Sequence, residues 1–439
     1  MRVKLRQLRE ELRTSYWFLP LMMTILAALV ARILISVDEL LFFAYATPPI
    51  VNVASTSAIL SVAAGAIATI AGTTFSLMLV VLTLGSQQYG PLVVINFIRD
   101  QSNQVVFGMF TGTFVFCIIT LDFVGISMRD TAFLPRIAAL TAIILSITCI
   151  LVMIYFIHHI AVSIRPTSII NTISQELSRA IDQVFPTRIG EDETTNPLSD
   201  LDQDRLGRFK QGAQEILATR TGYLNLLQED ALLELASDRE CLIEIAHRPG
   251  QFIVKGAVAG RVYPAERWDE RASRVFNESL VLSIHRSPAI DIELLFTQLV
   301  AIAVRALSPA INDPFTAMTC IDHLGEKLAM LANRQIGSSL RFDAYGVPRV
   351  VTHPVTFDDI MHLAFDQIRF YGRQDLRVVV HLLNTIRVIG EVLHTPSEQQ
   401  VLERYAGVIW GESRGLHTSE YAQNLLSIAY HAACVRLRD

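Results

Sequence analysis

From Ser57 to Ser86 the chain reads SAILSVAAGAIATIAGTTFSLMLVVLTLGS, without a charged residue. As a helix rising 1.5 Å per residue, these roughly 30 residues extend about 45 Å, more than the ~30 Å hydrocarbon core of a bilayer. The stretch predicts a membrane-spanning helix that overshoots the membrane. Its small and hydroxyl residues are ordered: Ser57, Ser61, Gly65, Ala68, Gly72 and Ser76 follow steps of 4, 4, 3, 4 and 4. At about 100° per residue they share one stripe roughly 100° wide, and Thr83 and Gln87 continue it. Such a stripe has two physical uses. It admits another backbone at close range in dry packing, or it lines a narrow wet path with hydroxyls and carbonyls.

The chain has 439 residues, 51% of them hydrophobic, with a mean hydropathy of +0.39. The apolar mass lies before about residue 165, and the rest reads as globular sequence long enough for one or two cores. Three further spans are expected: Phe18 to Ser36, with Pro20 in its first turn; Gln104 to Gly125; and Leu134 to Ile164. The fold class predicted is an α-helical integral membrane protein, four transmembrane helices followed by a mixed, mainly α cytoplasmic region with small β-hairpins. Residues 1–17 form a basic amphipathic helix, 18–164 the membrane domain, 165–185 a membrane-proximal helix, 186–204 an acidic linker and 205–439 the cytoplasmic domain.

Charge sets the orientation. Five basic residues precede the first span, the loop from Val37 to Thr56 has only Asp38 and Glu39, and Arg165, Arg179 and Arg188 follow the fourth span. Both termini are therefore expected in the cytoplasm. Residues 1–164 carry 9 basic and 7 acidic residues and the remainder 28 and 35, a split that gives the net charge of −5. An acidic soluble half argues against nucleic acid as a partner. The cysteines, Cys117, Cys149, Cys241, Cys320 and Cys434, lie far apart, so free thiols and a reducing compartment are expected.

Several polar residues stand out. Arg32 and Asp122 fall at similar depth, where an ion pair would lower the cost of both; a snorkelling Arg with an interfacial Asp is the alternative. His158 and His159 lie near the inner end of the fourth span, as a headgroup-level pair or a pH sensor. Gly108 and Gly112 have the spacing of a helix-packing GxxxG. The loop after the second span, with Gln87, Gln88, Asn96 and Arg99, is a candidate inner mouth beneath the small-residue stripe. Ser308 to Thr316 reads as a capped helix corner or a site, with Asn312 or Asp313 as N-cap and Pro314 at the first helical position. Arg248-Pro249-Gly250 signals a strand–turn–strand, and Arg341 to Val351 a hairpin. No nucleotide-binding, nucleophile-elbow, zincin or EF-hand motif occurs, so no catalytic residue, metal or cofactor is expected.

The runs TIAGTTFSLMLVVLTLGSQQYGP, INFIRDQSNQVVFGMFTGTFVF, YFIHHIAVSIR and RALSPAINDPFTAMTCID resemble a family of predicted bacterial membrane proteins, domain of unknown function 2254. The resemblance implies a bacterial inner-membrane location and the same layout of four spans plus a cytoplasmic region. It carries no established activity, and so no site residue. Two functions are expected on these grounds. One is a homo-oligomeric ion channel or pore lined by the second span, Ser57, Ser61, Gly65, Ala68, Gly72, Ser76 and Thr83. The other is a membrane-anchored sensor or scaffold whose cytoplasmic domain binds a partner or small ligand. Membrane lipids are partners in both.

Overall fold

The structure is a computed structural model that describes residues 17–45, 53–90, 100–130, 134–185, 212–287, 291–334, 339–393 and 395–438. The expected N-terminal basic helix and the acidic linker lie outside these residues. The chain divides into two compact units, Met1–Ile169 and Ile170–Asp439.

The first unit is built on four long apolar helices: α1 (Phe18–Tyr45), α2 (Val53–Tyr89), α3 (Gln101–Asp130) and α4 (Arg136–Ser163). Each is long and apolar enough to cross a membrane. All four run as far as or beyond the apolar runs that announce them, within two residues, because a helix already paid up in backbone hydrogen bonds continues into polar sequence until a breaker stops it. α1 therefore carries Asp38 and Glu39 on its last turns, not in a loop as the sequence suggested. α3 is the central helix and packs against α1, α2 and α4. In its span 56% of the most apolar window is buried, against 11% for α1 and 22% for α2 and α4. The core includes Leu60, Ile67, Phe110, Phe116, Cys149 and Phe156. Leu21, Leu29, Val62, Leu140, Leu151 and Ile154 are exposed on the outer helices, a distribution suited to hydrocarbon rather than water.

In the second unit α5 (Pro166–Val184) is followed by a small α/β part: β1 (Gln214–Leu217), β2 (Gly222–Leu227), α6 (Glu229–Asp238), β3 (Leu242–Ile245), β4 (Phe252–Ile253), β5 (Val258–Tyr263), α7 (Glu270–Ser279) and β6 (Leu280–Ser283). Then come α8 (Ile292–Ala306), α9 (Pro314–Ala332), the hairpin strands β7 (Leu340–Phe342) and β8 (Pro348–Val351), and four helices, α10 (Phe357–Gly372), α11 (Leu376–Gly390), α12 (Pro396–Ser413) and α13 (Glu420–Arg438). The strands form a five-stranded sheet, β1-β5-β3-β8-β7, and a three-stranded sheet, β4-β2-β6. β3 pairs antiparallel with β5 and parallel with β8, Ile243 opposite Val350.

The region is therefore richer in sheet than small hairpins alone. Strands flank the expected turn around Pro249, β3 before it and β4 after it, but they do not pair with each other: β3 joins the larger sheet and β4 pairs with β2. The turn instead hands the chain from one sheet to the other. Gly250 has φ +94°, and a Cβ there would stand 2.8 Å from the Asp291 carboxylate, so only glycine fits. Ile216, Leu224, Leu232, Ile243, Val262 and Phe276 form one core of this part. The helices begin where their caps dictate. Asp291, Asp313 and Asp375 accept backbone N–H bonds at the starts of α8, α9 and α11. Thr356 and Asp359 close a capping box on α10.

Candidate functional site

α2 turns its packed face inward through Thr56, Leu60, Ala64, Ile67, Thr74, Met78 and Val81. The small-residue stripe is one residue further round the helix. One residue is about 100° of rotation, enough to carry the whole stripe off the packed face. Ser57 is half-buried, and Ser61, Gly65, Ala68, Gly72, Ser76, Thr83, Gln87 and Gln88 are exposed. A Cβ added at Gly65 or Gly72 would meet nothing within 4 Å. The described helices of the chain thus leave the stripe uncovered. Three threonine hydroxyls on or beside this face are self-contained: Thr69, Thr73 and Thr83 each donate to the carbonyl four residues back, at 2.9, 2.8 and 2.8 Å. A hydroxyl closed in this way tolerates a neighbour without water. On the other flank of the packed face, α2 and α4 enclose an open groove of about 410 Å³ lined by Ile59, Val62, Ala66, Ile70, Ile147 and Ile150.

Gly108 and Gly112 face α1. A Cβ on Gly108 would lie 3.1 Å from the Pro20 Cα and 2.5 Å from the Met23 sulfur; one on Gly112 would lie 3.2 Å from the Ala27 Cβ. The two backbones approach so closely that the missing side chains are what makes room. Thr24 of α1 and Thr111 of α3 share a 2.9 Å hydrogen bond beside this contact. Arg32 and Asp122, read from the sequence as an ion pair or as a snorkelling Arg with an interfacial Asp, do not pair. The Arg32 guanidinium stands 4.8 Å over the ring of Phe123, and Asp122 is exposed. A ring one residue from the carboxylate offers Arg32 a cation–π partner while both charges stay at the surface.

Asp38 has a role the sequence did not signal. It is buried at 6% exposure, and its two carboxylate oxygens accept the N–H groups of Ile137 and Ala138, each at 3.0 Å. The N-cap residue of α4 is Pro135, which makes no side-chain cap. A carboxylate from α1 thus performs the N-cap function in trans and faces the positive end of the helix dipole.

At the bundle end marked by Tyr89 and Asp100, polar groups gather. Asp100 accepts the Ser102 N–H at 2.9 Å and pairs with His159 Nε2 at 2.8 Å. The His159 ring stacks on Tyr155 at 5.8 Å, while His158 is exposed. The Tyr89 hydroxyl donates to the Ile164 carbonyl at 3.0 Å. Asn103 and Gln104 are buried in the first turn of α3. Asn96 and Arg99, the other expected mouth residues, lie outside the described residues.

In the second unit, Ser308 to Thr316 is a capped corner. Asn312 adopts φ +50°, and Asp313 accepts from the Thr316 N–H at 3.1 Å and hydroxyl at 2.6 Å. A more extended polar contact joins α5 to α9. Ser174 Oγ meets His323 Nδ1 at 3.0 Å, the buried Lys327 ammonium donates to Ser178 Oγ at 2.8 Å and to Glu326 at 2.6 Å, and Arg334 pairs with Asp182. Serine at 174 and 178 and aspartate at 182 form an i, i+4, i+8 row, which places them on one face of α5.

A second network surrounds Gly250. Arg248 pairs with Glu293 at 2.8 Å and Asp359 at 3.1 Å, and Arg286 with Asp291 at 2.6 Å. Burial raises the Glu293 carboxyl against the opposing pull of Arg248. At Asp359 burial acts in the same direction, but the Thr356 N–H and hydroxyl and Arg248 outweigh it and hold the carboxyl low. Among the described residues no group of three His, Cys, Asp or Glu could hold a metal ion, and the cysteines are free.

A family model described as predicted membrane protein (DUF2254) matches residues 13–388. An uncharacterized protein of Mycobacterium bovis is 27% identical over 355 residues, 80% of this chain and 67% of its own length. An uncharacterized protein of Mycobacterium tuberculosis matches with the same identity and coverage. No solved structure matches.

Proposed function

The chain belongs to the DUF2254 family of predicted membrane proteins, and from that premise we propose that it works as a homo-oligomer in the bacterial inner membrane, its copies meeting along α2 around a narrow ion path. The observation that supports this is the uncovered stripe. A helix that buries one face inside the protomer and presents Gly65, Ala68 and Gly72 on another, with open space beyond the glycines, is suited to close approach by an identical helix. Four spans in one protomer rarely enclose a path, so symmetry supplies it. Ser57, Ser61, Ser76 and Thr83 line the axis, Gly72 and Ser76 form its narrowest part, and Gln87 and Gln88 stand at the cytoplasmic mouth. Membrane lipids cover the exposed Leu and Ile of α1 and α4. Both termini are cytoplasmic in this reading.

A thiol scan tests it. Single cysteines at Ser57, Ser61, Gly65, Ala68, Gly72 and Ser76 are probed in reconstituted vesicles with a membrane-impermeant reagent from each side. Labelling deep along this face, with Ile59 and Leu77, exposed on another face of α2, silent, together with ion flux lost in Gly72→Leu, is the expected result. Labelling confined to the ends, or flux that survives Gly72→Leu, removes the path.

The row of contacts between α5 and α9 favours a second reading, a membrane-anchored sensor or scaffold. α5 directly follows the last span, so a change at the membrane would reach α9 through Ser174, Ser178 and Asp182 and alter what the C-terminal unit binds. Cells lacking the protein would be complemented with a chain ending at residue 185. Full complementation by that fragment eliminates the sensor reading.

A further inference from the structure

The groove between α2 and α4 lies within two helices that are long and apolar enough to cross a membrane. Ile67 and Ser146, buried and half-buried, form its floor, and the exposed Ile59, Val62, Ile147 and Ile150 its rim. Alanine at 63 and 66 makes the hollow, since a longer side chain at either position would project into it. Among the described residues of the lining, Ser146 alone has a polar side chain, and its hydroxyl is closed on the Ala142 carbonyl at 2.7 Å. The groove therefore offers a ligand no charge and no open hydrogen-bonding group, and an apolar space of this kind stays dry.

From Ala58 to Ile70 the lining runs about 18 Å along α2, close to the ~15 Å that is half the hydrocarbon core of a bilayer. It begins five residues into α2 and seven into α4, roughly 8–10 Å below the ends of the two helices. The groove thus occupies one leaflet. Its volume of about 410 Å³, spread over that length, gives a mean cross-section of roughly 23 Å², against about 80 Å² for a helix 10 Å across. The space is too narrow for a helix and suits a single polymethylene chain. Valine and isoleucine at the rim have restricted rotamers, so side-chain rotation does not close it. Inside hydrocarbon the hydrophobic effect no longer drives association, and van der Waals contact does. A chain seated here touches two helices at once, whereas a void would forfeit those contacts.

We propose that this groove binds one acyl chain of a bilayer phospholipid, in the leaflet where α2 and α4 begin, and that it recognises the chain and not the headgroup. The inference rests on α2 and α4 being membrane spans and not on the ion path, because the small-residue stripe lies on the other flank of the packed face of α2.

The full-length protein is reconstituted in phosphatidylcholine vesicles containing a phosphatidylcholine with a photoreactive diazirine at mid-chain, and the adducts are mapped by mass spectrometry. The controls are Leu26 and Leu29, exposed on α1. They lie at the depth of the groove, since Asp38 near the end of α1 meets Ile137 at the start of α4. Adducts at Ile59, Val62, Ile147 and Ile150 should exceed those at the controls about tenfold, the ratio that 1.4 kcal/mol of preference gives. Ala66→Leu, at an exposed position, and Ala63→Leu should each bring the groove adducts down to the control level, with unchanged adducts at Leu26 and Leu29 reporting an intact bundle. A phosphatidylglycerol probe with the same chains should give the same ratio. Equal labelling of groove and controls would mean ordinary lipid solvation and overturn the proposal. Groove adducts indifferent to both alanine variants, or a ratio that follows the headgroup, would overturn it too. So would a disulfide between copies at Val62→Cys, which would put a second copy of the chain in the groove. The same mapping in Gly72→Leu keeps the two readings apart: groove adducts that persist there support the lipid site even if the ion path fails.

Discussion

α2 and α3 both carry glycines at helix-packing spacing, and the protein treats them in opposite ways. On α3, Gly108 and Gly112 lie so close to α1 that any side chain would strike Pro20, Met23 or Ala27. On α2, Gly65 and Gly72 look into open space. The comparison separates two properties that sequence spacing merges. Small residues at regular intervals mark a face that another backbone can approach. Whether the approaching backbone belongs to the same chain is set by how the helices are arranged around it.

The comparison can be broken most forcefully at Gly108. Leucine there would have to displace the α1 backbone at Pro20, and overpacking of this kind costs about 3 kcal/mol. The expected outcome is a large fall in the thermal midpoint of the detergent-solubilised protein. An unchanged midpoint would mean that α1 and α3 do not meet at these glycines.

Next in size is Asp38→Ala, which leaves the Ile137 and Ala138 N–H groups without their acceptor. A lost N-cap costs roughly 0.5–2 kcal/mol, and hydrogen exchange should show it as faster exchange confined to the first turn of α4. Asp38→Asn keeps one acceptor oxygen and should fall between the two.

Gly65→Leu and Gly72→Leu should change protomer stability by less than about 0.5 kcal/mol, as exposed substitutions do. Their effect should appear only in the assembly, as a change of apparent mass by light scattering. Protomer destabilisation equal to that of Gly108→Leu would erase the contrast between the two helices.

The smallest expected effect sharpens the thiol scan. Burial pushes the Cys241 thiol up to about 11 from its usual 9.0, and burial also raises Cys320. Both should stay silent to the reagent at neutral pH and give the scan a quiet background. For Cys241 the linkage has a definite sign. Below pH 9 the folded and unfolded chains both hold the proton. Between 9 and 11 the unfolded chain loses it first, so stability falls as pH rises through that window. The stability difference between the wild type and Cys241→Ala should accordingly narrow from pH 8 to pH 10 in denaturant titrations.

Much of this architecture was legible in the sequence because its signals are local. Long apolar runs announce α1 to α4, and Asp313-Pro314 announces where α9 starts. The strands were harder to read. β1, QEIL, offers four residues and a single buried side chain, too short a run for alternation to stand out. β5 contains Gly260, where a Cβ would strike the Glu244 carbonyl and Phe276, a requirement visible only once β3 and α7 are in place. Asp38 looked like a loop acid because its partners, the N–H groups at the start of α4, are 99 and 100 residues away.

By itself the sequence determined where the four long apolar helices lie, that they suit a membrane, and which faces of α2 and α3 are small. These follow from hydropathy and from rotation per residue, properties that a segment holds on its own. Tertiary structure alone decided the use of each face: that α3's glycines are filled by α1, that α2's are left open, that Arg32 rests on Phe123 rather than pairing with Asp122, and that α1 caps α4. A contact depends on two segments at once, and the spacing within either one leaves the identity of its neighbour undetermined.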